Sequence, residues 1–324
     1  MAVELTTRVL RADRDAIAAA ARVLADGGLV AFPTETVYGL GADATNGEAI
    51  ARLYAAKGRP RFNPLIAHVT SAAAAIAFAR FSFRAKTLAE AFWPGPLTLV
   101  LPKADGCPVS ELATAGLDSI AVRVPAHPVA RDLLKAFGGP VVAPSANQSG
   151  HVSPTTAGHV RVDLDGRVDL ILDGGPTNVG IESTIVSCLD MPTLLRPGGL
   201  PREDIERVLG DALLDLEHPM PDEAPLAPGM LASHYAPRTP LRLNARDVRA
   251  GEALLAFGRD APNAAKVLNL SPSGNLVEAA ANLFSHLRTL DALGANGIAV
   301  MPISNEGLGE AINDRLARAA APRP

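Results

Sequence analysis

The 324-residue chain has few cysteines and no long apolar run, and these absences exclude several classes of protein. Its two cysteines, Cys107 and Cys188, lie outside any CxxC or Cys/His cluster, so we interpret them as ordinary thiols in a reducing compartment. No apolar stretch approaches the roughly 18 residues that a membrane-spanning helix needs. The N-terminal segment MAVELTTRVLRADRD mixes acids and bases and has no apolar region typical of a signal peptide. We therefore expect a cytoplasmic protein without a membrane partner.

The chain also lacks the common catalytic and nucleotide-binding motifs. Neither GxxxxGK[ST] nor GxGxxG occurs, and no Ser/His/Asp order, HExxH or paired-carboxylate spacing is convincing. The net charge of −4 argues against a protein whose main task is to coat nucleic acid, although it is compatible with a local basic cleft. Only five lysines occur, and one of them is Lys57.

What is present is an alternation of apolar and helical segments, which predicts an α/β fold with a mixed sheet. The predicted helices cover residues 14–26, 47–56, 71–79, 84–92, 127–137 and 202–209. The predicted strands are LVAF, PLIAHV, LTLVLP, SIAVRVP, PVVAP, LILDG, STIVS and TLLRP. Strands outnumber helices and several follow one another directly, which favours a mixed over a purely parallel sheet.

A change of composition divides the chain. We predict a first domain at residues 1–210, a proline-rich linker at 211–239 and a C-terminal α/β domain at 240–324 with a β-β-α-β-α order. The linker ends in PGM and HYAP, where prolines fix the backbone and Tyr235 offers an aromatic face.

Lys57, Gly58 and Arg59 follow a predicted helix and allow two interpretations. Gly58 can end the helix in the left-handed conformation, with the cations favoured by the helix dipole. Alternatively, Lys57 and Arg59 lie on a proline-fixed loop with Arg61 and Asn63 and bind phosphate oxygens.

The segment from Pro144 to Thr155 is a second candidate. It can be a polar turn in which Ser153 or Thr155 caps the next helix. It can also bind phosphate or ribose through Ser145, Asn147, Ser153 and backbone N–H groups around Gly150.

Isolated polar residues within apolar strands complete the set. His68 in LIAHV is by default a buried histidine with its hydrogen bonds satisfied. Arg123 in AVRVP needs an anion, which could be a substrate carboxylate or Asp173 within the protein. Together the hydroxyls, amides and cations suit anion binding and electrostatic stabilisation of a transferred group rather than a covalent nucleophile.

The segments PTETVYGLGAD, KGRPRFNPL, WPGPLTLVL, AVRVP, PSANQSGHVSPT, ESTIV and LRPG resemble the YrdC family. With the PGM and HYAP linker and the C-terminal domain, the chain resembles the long, two-domain form of that family over nearly its whole length. The resemblance implies a twisted mixed-sheet YrdC-like domain with a concave basic face and a small Rossmann-like C-terminal domain.

The resemblance also implies an activity in tRNA modification: a nucleotidyltransferase that makes L-threonylcarbamoyladenylate and pyrophosphate from L-threonine, bicarbonate and ATP. Partner proteins would then transfer the threonylcarbamoyl group to tRNA, with a weak direct tRNA contact as a further expectation. Magnesium is expected to arrive with ATP rather than in a dedicated protein site. Between PGM and HYAP the chain has Leu231, Ala232 and Ser233 where some relatives have basic or aromatic residues.

Motif matching implies the following site residues. Lys57 and Arg59 would be catalytic and hold the triphosphate. The remaining ATP-binding residues would be Asn63, Ser119, Ser145, Asn147, Ser153, Arg196 and Tyr235. The threonine pocket would be formed by Thr36, His68, Arg123, the backbone at Ala143, and Ser183. No metal ligands are expected.

Two other functions are compatible with these patterns. One is a YrdC-like module that binds structured RNA without chemistry, which the acidic charge balance disfavours. The other is a carbamoyl transferase of the hydrogenase-maturation type, which would need zinc-binding cysteines that a chain with two cysteines cannot supply.

Overall fold

The computed structural model describes residues 5–216, 228 and 235–322, and its strands form two sheets. The larger sheet has 11 strands in the order β1-β8-β2-β3-β7-β4-β6-β5-β9-β10-β11. Its strands are β1 (Arg8–Arg11), β2 (Val30–Pro33), β3 (Tyr38–Asp43), β4 (Ile66–His68), β5 (Leu97–Pro102), β6 (Ser119–Arg123), β7 (Val141–Val142), β8 (Leu170–Asp173), β9 (Thr184–Ser187), β10 (Thr193–Arg196) and β11 (Leu214–Asp215). Parallel pairs such as β4 with β6 alternate with antiparallel pairs such as β2 with β3, so the prediction of a mixed sheet is confirmed.

Helices cover the larger sheet, and side-chain caps set several of their ends. They are α1 (Arg14–Ala25), α2 (Gly47–Lys57), α3 (Ala72–Ala75), α4 (Phe83–Phe92), α5 (Glu111–Thr114), α6 (Pro128–Phe137), α7 (Ala157–Leu164) and α8 (Arg202–Leu209). α2 begins after Asn46, whose side chain accepts hydrogen bonds from the N–H groups of Glu48 and Ala49, and it ends at Gly58 in the left-handed region at φ 61°. The side chain that caps α7 is that of Thr156, not the predicted Ser153 or Thr155.

Alternating side chains of the larger sheet pack into two apolar cores, one on each face of the sheet. In β2, Val30 and Phe32 pack into one core with α1 and α6, whereas Ala31 packs into the other. The strands near the cavity described below therefore have both faces buried, and their polar residues are the exceptions that need partners.

The smaller sheet is parallel, in the order β12-β15-β13-β14. Its elements are β12 (Leu241–Arg242), β13 (Glu252–Ala256), β14 (Val267–Asn269), α9 (Leu276–Ala292), β15 (Gly297–Val300) and α10 (Leu308–Ala320). The predicted β-β-α-β-α order omitted β14, a three-residue strand without alternating polarity.

The larger sheet and its helices form the larger unit, and the smaller sheet with α9 and α10 forms the C-terminal unit. The two units share an apolar core. Val37, Val152 and Ile181 of the larger unit pack with Tyr235 and with residues of α9 and α10. At Gly180 the backbones come so close that an added Cβ would lie 2.4 Å from the carbonyl oxygen of Ala280. The C-terminal unit therefore lies directly against the loops of the larger unit.

The segment predicted as a linker falls mostly on residues 217–227 and 229–234, which lie outside the described residues. Its first part continues the larger sheet, since β11 pairs with β10 beyond residue 210. No helix within the described ranges is both long and apolar enough to cross a membrane.

Candidate active site

A cavity lies where several strands of the larger sheet end, against Pro228 and Tyr235. It contains about 470 Å³ of space between protein atoms, including space open to solvent. Its lining residues are Thr36, Val37, Arg59, Ile66, His68, Arg123, Ala143, Pro144, Ser145, Glu182, Ser183, Arg196, Pro228 and Tyr235. Most of the predicted site residues are therefore brought together.

Lys57 lies behind this lining at the C-terminal end of α2. Its Nζ atom donates to the carbonyl oxygens of Ser145 and Asn147, both at 2.5 Å. Burial, and then the charge of Arg59, hold the pKa of Lys57 well below its usual value. The structural and the functional interpretations of this segment are thus compatible, because Gly58 ends the helix while Lys57 reaches the loop that contains Ser145.

Arg59 and Arg196 are buried guanidinium groups that donate to backbone carbonyl oxygens. Arg59 donates from Nη2 to Pro64 at 3.1 Å and from Nε to Asn63 at 3.4 Å. Arg196 donates from Nη2 to the carbonyl of Ser183 at 2.8 Å and from Nη1 to that of Pro228 at 3.1 Å. Burial lowers the pKa of Arg59 to about 10, and burial also lowers that of Arg196.

The turn that places Arg196 depends on glycine at position 198. An added Cβ there would lie 2.4 Å from backbone atoms of Ser183 and Thr184. The chain after β10 can therefore close on the start of β9 only without a side chain at this position.

Arg123 is paired with Glu35, and the predicted partner Asp173 is wrong. The Nη2 atom of Arg123 lies 2.6 Å from Oε1 of Glu35. Asp173 is exposed at the end of β8, and four strands separate β8 from β6 in the sheet, which is roughly 24 Å at about 4.8 Å per strand.

The pair of Arg123 and Glu35 is held by further bonds. Arg123 donates from Nη1 to Thr36 Oγ1 at 3.0 Å and from Nε to the carbonyl of Gly95 at 3.2 Å. Oε2 of Glu35 accepts from the N–H group of Ala126 at 3.0 Å. Burial alone would raise the pKa of Glu35, but the charge and hydrogen bonds of Arg123 outweigh burial and lower it.

His68 is buried beside this pair. Its Nδ1 atom lies 3.1 Å from the carbonyl oxygen of Ile66. Burial, and then the charge of Arg123, lower the pKa of His68 to about 3, so the imidazole is neutral near pH 7. The default interpretation of a satisfied buried histidine holds, and the ring also lines the cavity.

Five of the predicted residues do not line the cavity: Lys57, Asn63, Ser119, Asn147 and Ser153. Four of them are linked to the cavity wall by hydrogen bonds. Lys57 donates to the carbonyl oxygens of Ser145 and Asn147, and Nε of Arg59 donates to that of Asn63. Ser153 donates to Oε1 of Glu182. Ser119 is buried at the start of β6, at the opposite end of that strand from Arg123.

Glu35, Glu182 and Arg315 were not among the predicted site residues. Glu182 lines the cavity, and its Oε2 atom lies 2.8 Å from Nε of Arg315 in α10. Burial alone would raise the pKa of Glu182, but Arg315 and Arg196 lower it. No local signal identifies Glu182, because an acidic residue in the loop before a strand is ordinarily exposed and only the fold shows that this one is buried.

Tyr235 lines the cavity and is 1% exposed. Its ring stacks on Phe284 of α9 with centroids 5.7 Å apart. The next residue is tied to the Ser145 to Ser153 loop, because the N–H group of Ala236 donates to the carbonyl of Gly150 at 2.8 Å. The end of the predicted linker therefore forms part of the cavity wall.

Two protein-family models match the chain, and together they span most of it. One, described as Telomere recombination and covering Sua5, YciO and YrdC proteins, matches residues 22–198. The other, described as Threonylcarbamoyl-AMP synthase, C-terminal domain, matches residues 200–321.

Individual relatives also match over most of their length. The chain is 42% identical to the threonylcarbamoyl-AMP synthase of Bacillus subtilis, covering 95% of this chain and 93% of the relative. It is 41% identical to that of Pyrococcus abyssi, covering 94% of each. The crystal structure of P. abyssi Sua5 complexed with L-threonine superposes with a TM-score of 0.88 at 39% identity, covering 98% of each chain.

Proposed function

The chain belongs to the threonylcarbamoyl-AMP synthase family, and we propose that its cavity binds ATP, L-threonine and bicarbonate and joins them into threonylcarbamoyl-AMP and pyrophosphate. The family activity makes the chain an enzyme, a nucleotidyltransferase that forms an adenylate for tRNA modification. Membership over nearly the whole chain replaces the alternatives of an RNA-binding module without chemistry and of a hydrogenase-maturation carbamoyl transferase.

The observation that carries the proposed ATP site is a set of buried cations that form no ion pair with a carboxylate of the described residues. Lys57, Arg59 and Arg196 donate to backbone carbonyl oxygens, which are neutral. Positive charge in a buried site is stabilised by an anion, and a triphosphate supplies several negative charges at once. We assign Ser145, Asn147, Ser153, Asn63, Ser119 and Tyr235 to the same nucleotide, as the family motifs imply.

We assign the other end of the cavity to L-threonine, with which P. abyssi Sua5 forms a complex in its crystal structure. A guanidinium has five N–H donors, and three of those of Arg123 are used by Glu35, Thr36 and Gly95. The remaining donors support the assignment of Arg123 to the threonine carboxylate. Thr36, His68, Ala143 and Ser183 complete this pocket.

The proposed reaction requires charge neutralisation and orientation. The threonine nitrogen forms a bond to the bicarbonate carbon with loss of water, which gives a carbamate. A carbamate oxygen then attacks the α-phosphorus of ATP, the bond from that phosphorus to the bridging oxygen breaks, and the electron pair leaves with pyrophosphate. Arg59, Lys57 and Arg196 would stabilise the charge that develops on the leaving group.

We propose that magnesium enters with ATP, held by phosphate oxygens. The described residues contain no group of three or more His, Cys, Asp or Glu side chains placed to hold a metal ion. The acidic residues that flank the cavity, Glu35 and Glu182, are already paired with arginines. We further propose that transfer proteins receive the adenylate and that any direct tRNA contact is weak.

The test is threonine-dependent release of pyrophosphate from ATP in bicarbonate buffer, with recovery of threonylcarbamoyl-AMP. Serine in place of threonine and a bicarbonate-depleted buffer are the controls. We expect product only when threonine, bicarbonate and ATP are all present. Pyrophosphate release at the same rate without threonine would contradict the proposal.

A further inference from the structure

One residue of the C-terminal unit reaches the cavity wall without lining the cavity. Arg315 lies in α10 and is 0% exposed. Its Nε atom is 2.8 Å from Oε2 of Glu182, and its Cζ atom is 5.1 Å from the centroid of the Tyr235 ring. Glu182 and Tyr235 both line the cavity, so one guanidinium contacts two parts of its wall.

The remaining bonds of Arg315 fix its orientation. Its Nη1 atom lies 2.5 Å from Oδ2 of Asp314, the preceding residue. Glu182 in turn accepts a hydrogen bond from Ser153 through its other oxygen. The resulting chain runs from α10 through Glu182 to the loop that we assign to the nucleotide.

This arrangement is a poor way to stabilise a fold. Burying an ion pair removes both charges from water, and apolar residues of similar volume often serve stability as well or better. The Nη2 atom of Arg315 is buried and has no hydrogen-bond acceptor among the described residues, which is a further penalty. A gain in stability therefore does not explain why an arginine occupies this position.

We propose that Arg315 is a positioning residue for the adenylation reaction, which fixes the Tyr235 ring and the Glu182 carboxylate in the geometry that binds ATP. The inference rests on the function proposed above. It gives the C-terminal unit a specific role in nucleotide binding, because α10 supplies the cation that lies over the Tyr235 face.

The same helix offers a matched control. Glu310 of α10 pairs with Arg202 of α8 at 2.8 Å, so this ion pair also joins the two units. It contacts neither Glu182 nor Tyr235 and is partly exposed. Glu310→Gln therefore tests the effect of weakening the contact between units, without disturbing the cavity wall.

The experiment compares Arg315→Met, Arg315→Lys and Glu310→Gln in the full chain. Calorimetry gives the Kd for ATP without threonine, and steady-state assays give the KM for threonine. We expect Arg315→Met to raise the Kd for ATP about tenfold, since a cation over an aromatic face and a charged hydrogen bond are lost. The KM for threonine should change by less than about twofold, because the Arg123 end is untouched. Arg315→Lys should recover part of the ATP affinity, and Glu310→Gln should leave it unchanged.

A double-mutant cycle separates positioning from general destabilisation. If Arg315 acts through Tyr235, adding Arg315→Met to Tyr235→Ala should weaken ATP binding much less than Arg315→Met does alone. The inference would be overturned if the effects of Arg315→Met and Tyr235→Ala on the free energy of ATP binding were fully additive. It would also be overturned if Arg315→Met and Glu310→Gln changed the Kd for ATP equally. If Arg315→Met does not fold, Arg315→Lys is judged by the same cycle.

Failure of the proposed function would look different. A wild-type chain that binds ATP but releases no pyrophosphate with threonine contradicts the function. The effect of Arg315 on the Kd for ATP can still be measured in that chain.

Discussion

The cations at the cavity are held in two opposite ways, and we call the group around Arg123 its first end and the group of Lys57, Arg59 and Arg196 its second end. Arg123 donates to a carboxylate, a hydroxyl and a carbonyl, and its charge is matched by Glu35 at 2.6 Å. Lys57, Arg59 and Arg196 donate to backbone carbonyls, which orient them without matching their charge. The first end therefore has a fixed, neutralised geometry suited to a small zwitterion, and the second keeps positive charge available for a polyanion.

The acceptors of a buried arginine therefore indicate what its loss would change. Pairing with a carboxylate fixes the side chain in place, so its loss lowers stability in addition to any effect on the neighbouring site. Pairing with carbonyls leaves an electrostatic potential, so loss of the side chain becomes a problem of ligand binding. Stability and ligand-binding measurements on single variants can therefore distinguish the two groups of cations.

Removing Arg123 should have the largest effect, and the effect should be on stability. Arg123→Met leaves Glu35 buried without its cation, which costs about 3 to 5 kcal/mol in the free energy of unfolding. Denaturant titration of this variant and of Arg59→Met provides the comparison, because Arg59 leaves only neutral acceptors behind and should cost about 1 kcal/mol. Equal losses in the two variants would remove the distinction between the two ends.

Removing Arg59 should instead impair the use of ATP. Arg59→Ala loses charge-assisted hydrogen bonds to phosphate worth about 1.5 to 3 kcal/mol, a decrease of about tenfold to a hundredfold in kcat/KM for ATP. The KM for threonine should stay close to that of the wild type. Arg61→Ala, on the same loop but exposed, is the matched control. Normal pyrophosphate release by a folded Arg59→Ala variant would remove the assignment of the phosphate site.

His68, buried beside the pair of Arg123 and Glu35, should also make the stability of the fold sensitive to acid. The folded-state pKa of His68 is about 3, below the ordinary value of 6.5, so the unfolded chain binds the extra proton first. The stability contribution is complete above pH 6.5 and is lost as the pH falls toward 3, by about 2 kcal/mol at pH 5. His68→Gln should lose less stability than the wild type between pH 7 and pH 5. If the free energy of unfolding fell equally with pH in the wild type and in His68→Gln, this prediction would be wrong.

The smallest expected effect is the uptake of a fraction of a proton by Lys57 when ATP binds. Burial and Arg59 lower the pKa of Lys57, and a bound triphosphate would raise it again. ATP binding should therefore take up a fraction of a proton wherever Lys57 is partly deprotonated in the free protein. The observed binding enthalpy should then depend on the ionisation enthalpy of the buffer, and Lys57→Met should reduce that dependence.

Local patterns predicted much of the larger sheet, because buried strands and capped helices leave clear periodicities. The helix at 202–209 and the strands LTLVLP, SIAVRVP and STIVS are confirmed. The short elements β1, β11, β14 and α5 were missed, since two to four residues carry no period. The strand β3 was missed because YGLGAD, with two glycines, has low strand propensity and forms by pairing with β2.

The site was predicted as a set of residues, whereas its pairings were not. An arginine in an apolar strand requires an anion wherever it lies, so the need at Arg123 could be stated from the sequence. That Asp173 is not the partner follows from strand order, which places β8 far from β6 and which local patterns do not contain. Arg315 was missed for the same reason, because its partner Glu182 lies 133 residues away in another unit.

The apolar core shared by Val37, Val152, Ile181 and α9 couples local unfolding of α9 to the larger unit. Opening of α9 to solvent would uncover these residues of the larger unit, so the helix cannot open without loosening the loops around the cavity. Amide hydrogen exchange in α9 therefore reports on the cavity at a distance. A nucleotide that orders those loops should slow exchange in α9, although the cavity lining contains no described residue of that helix.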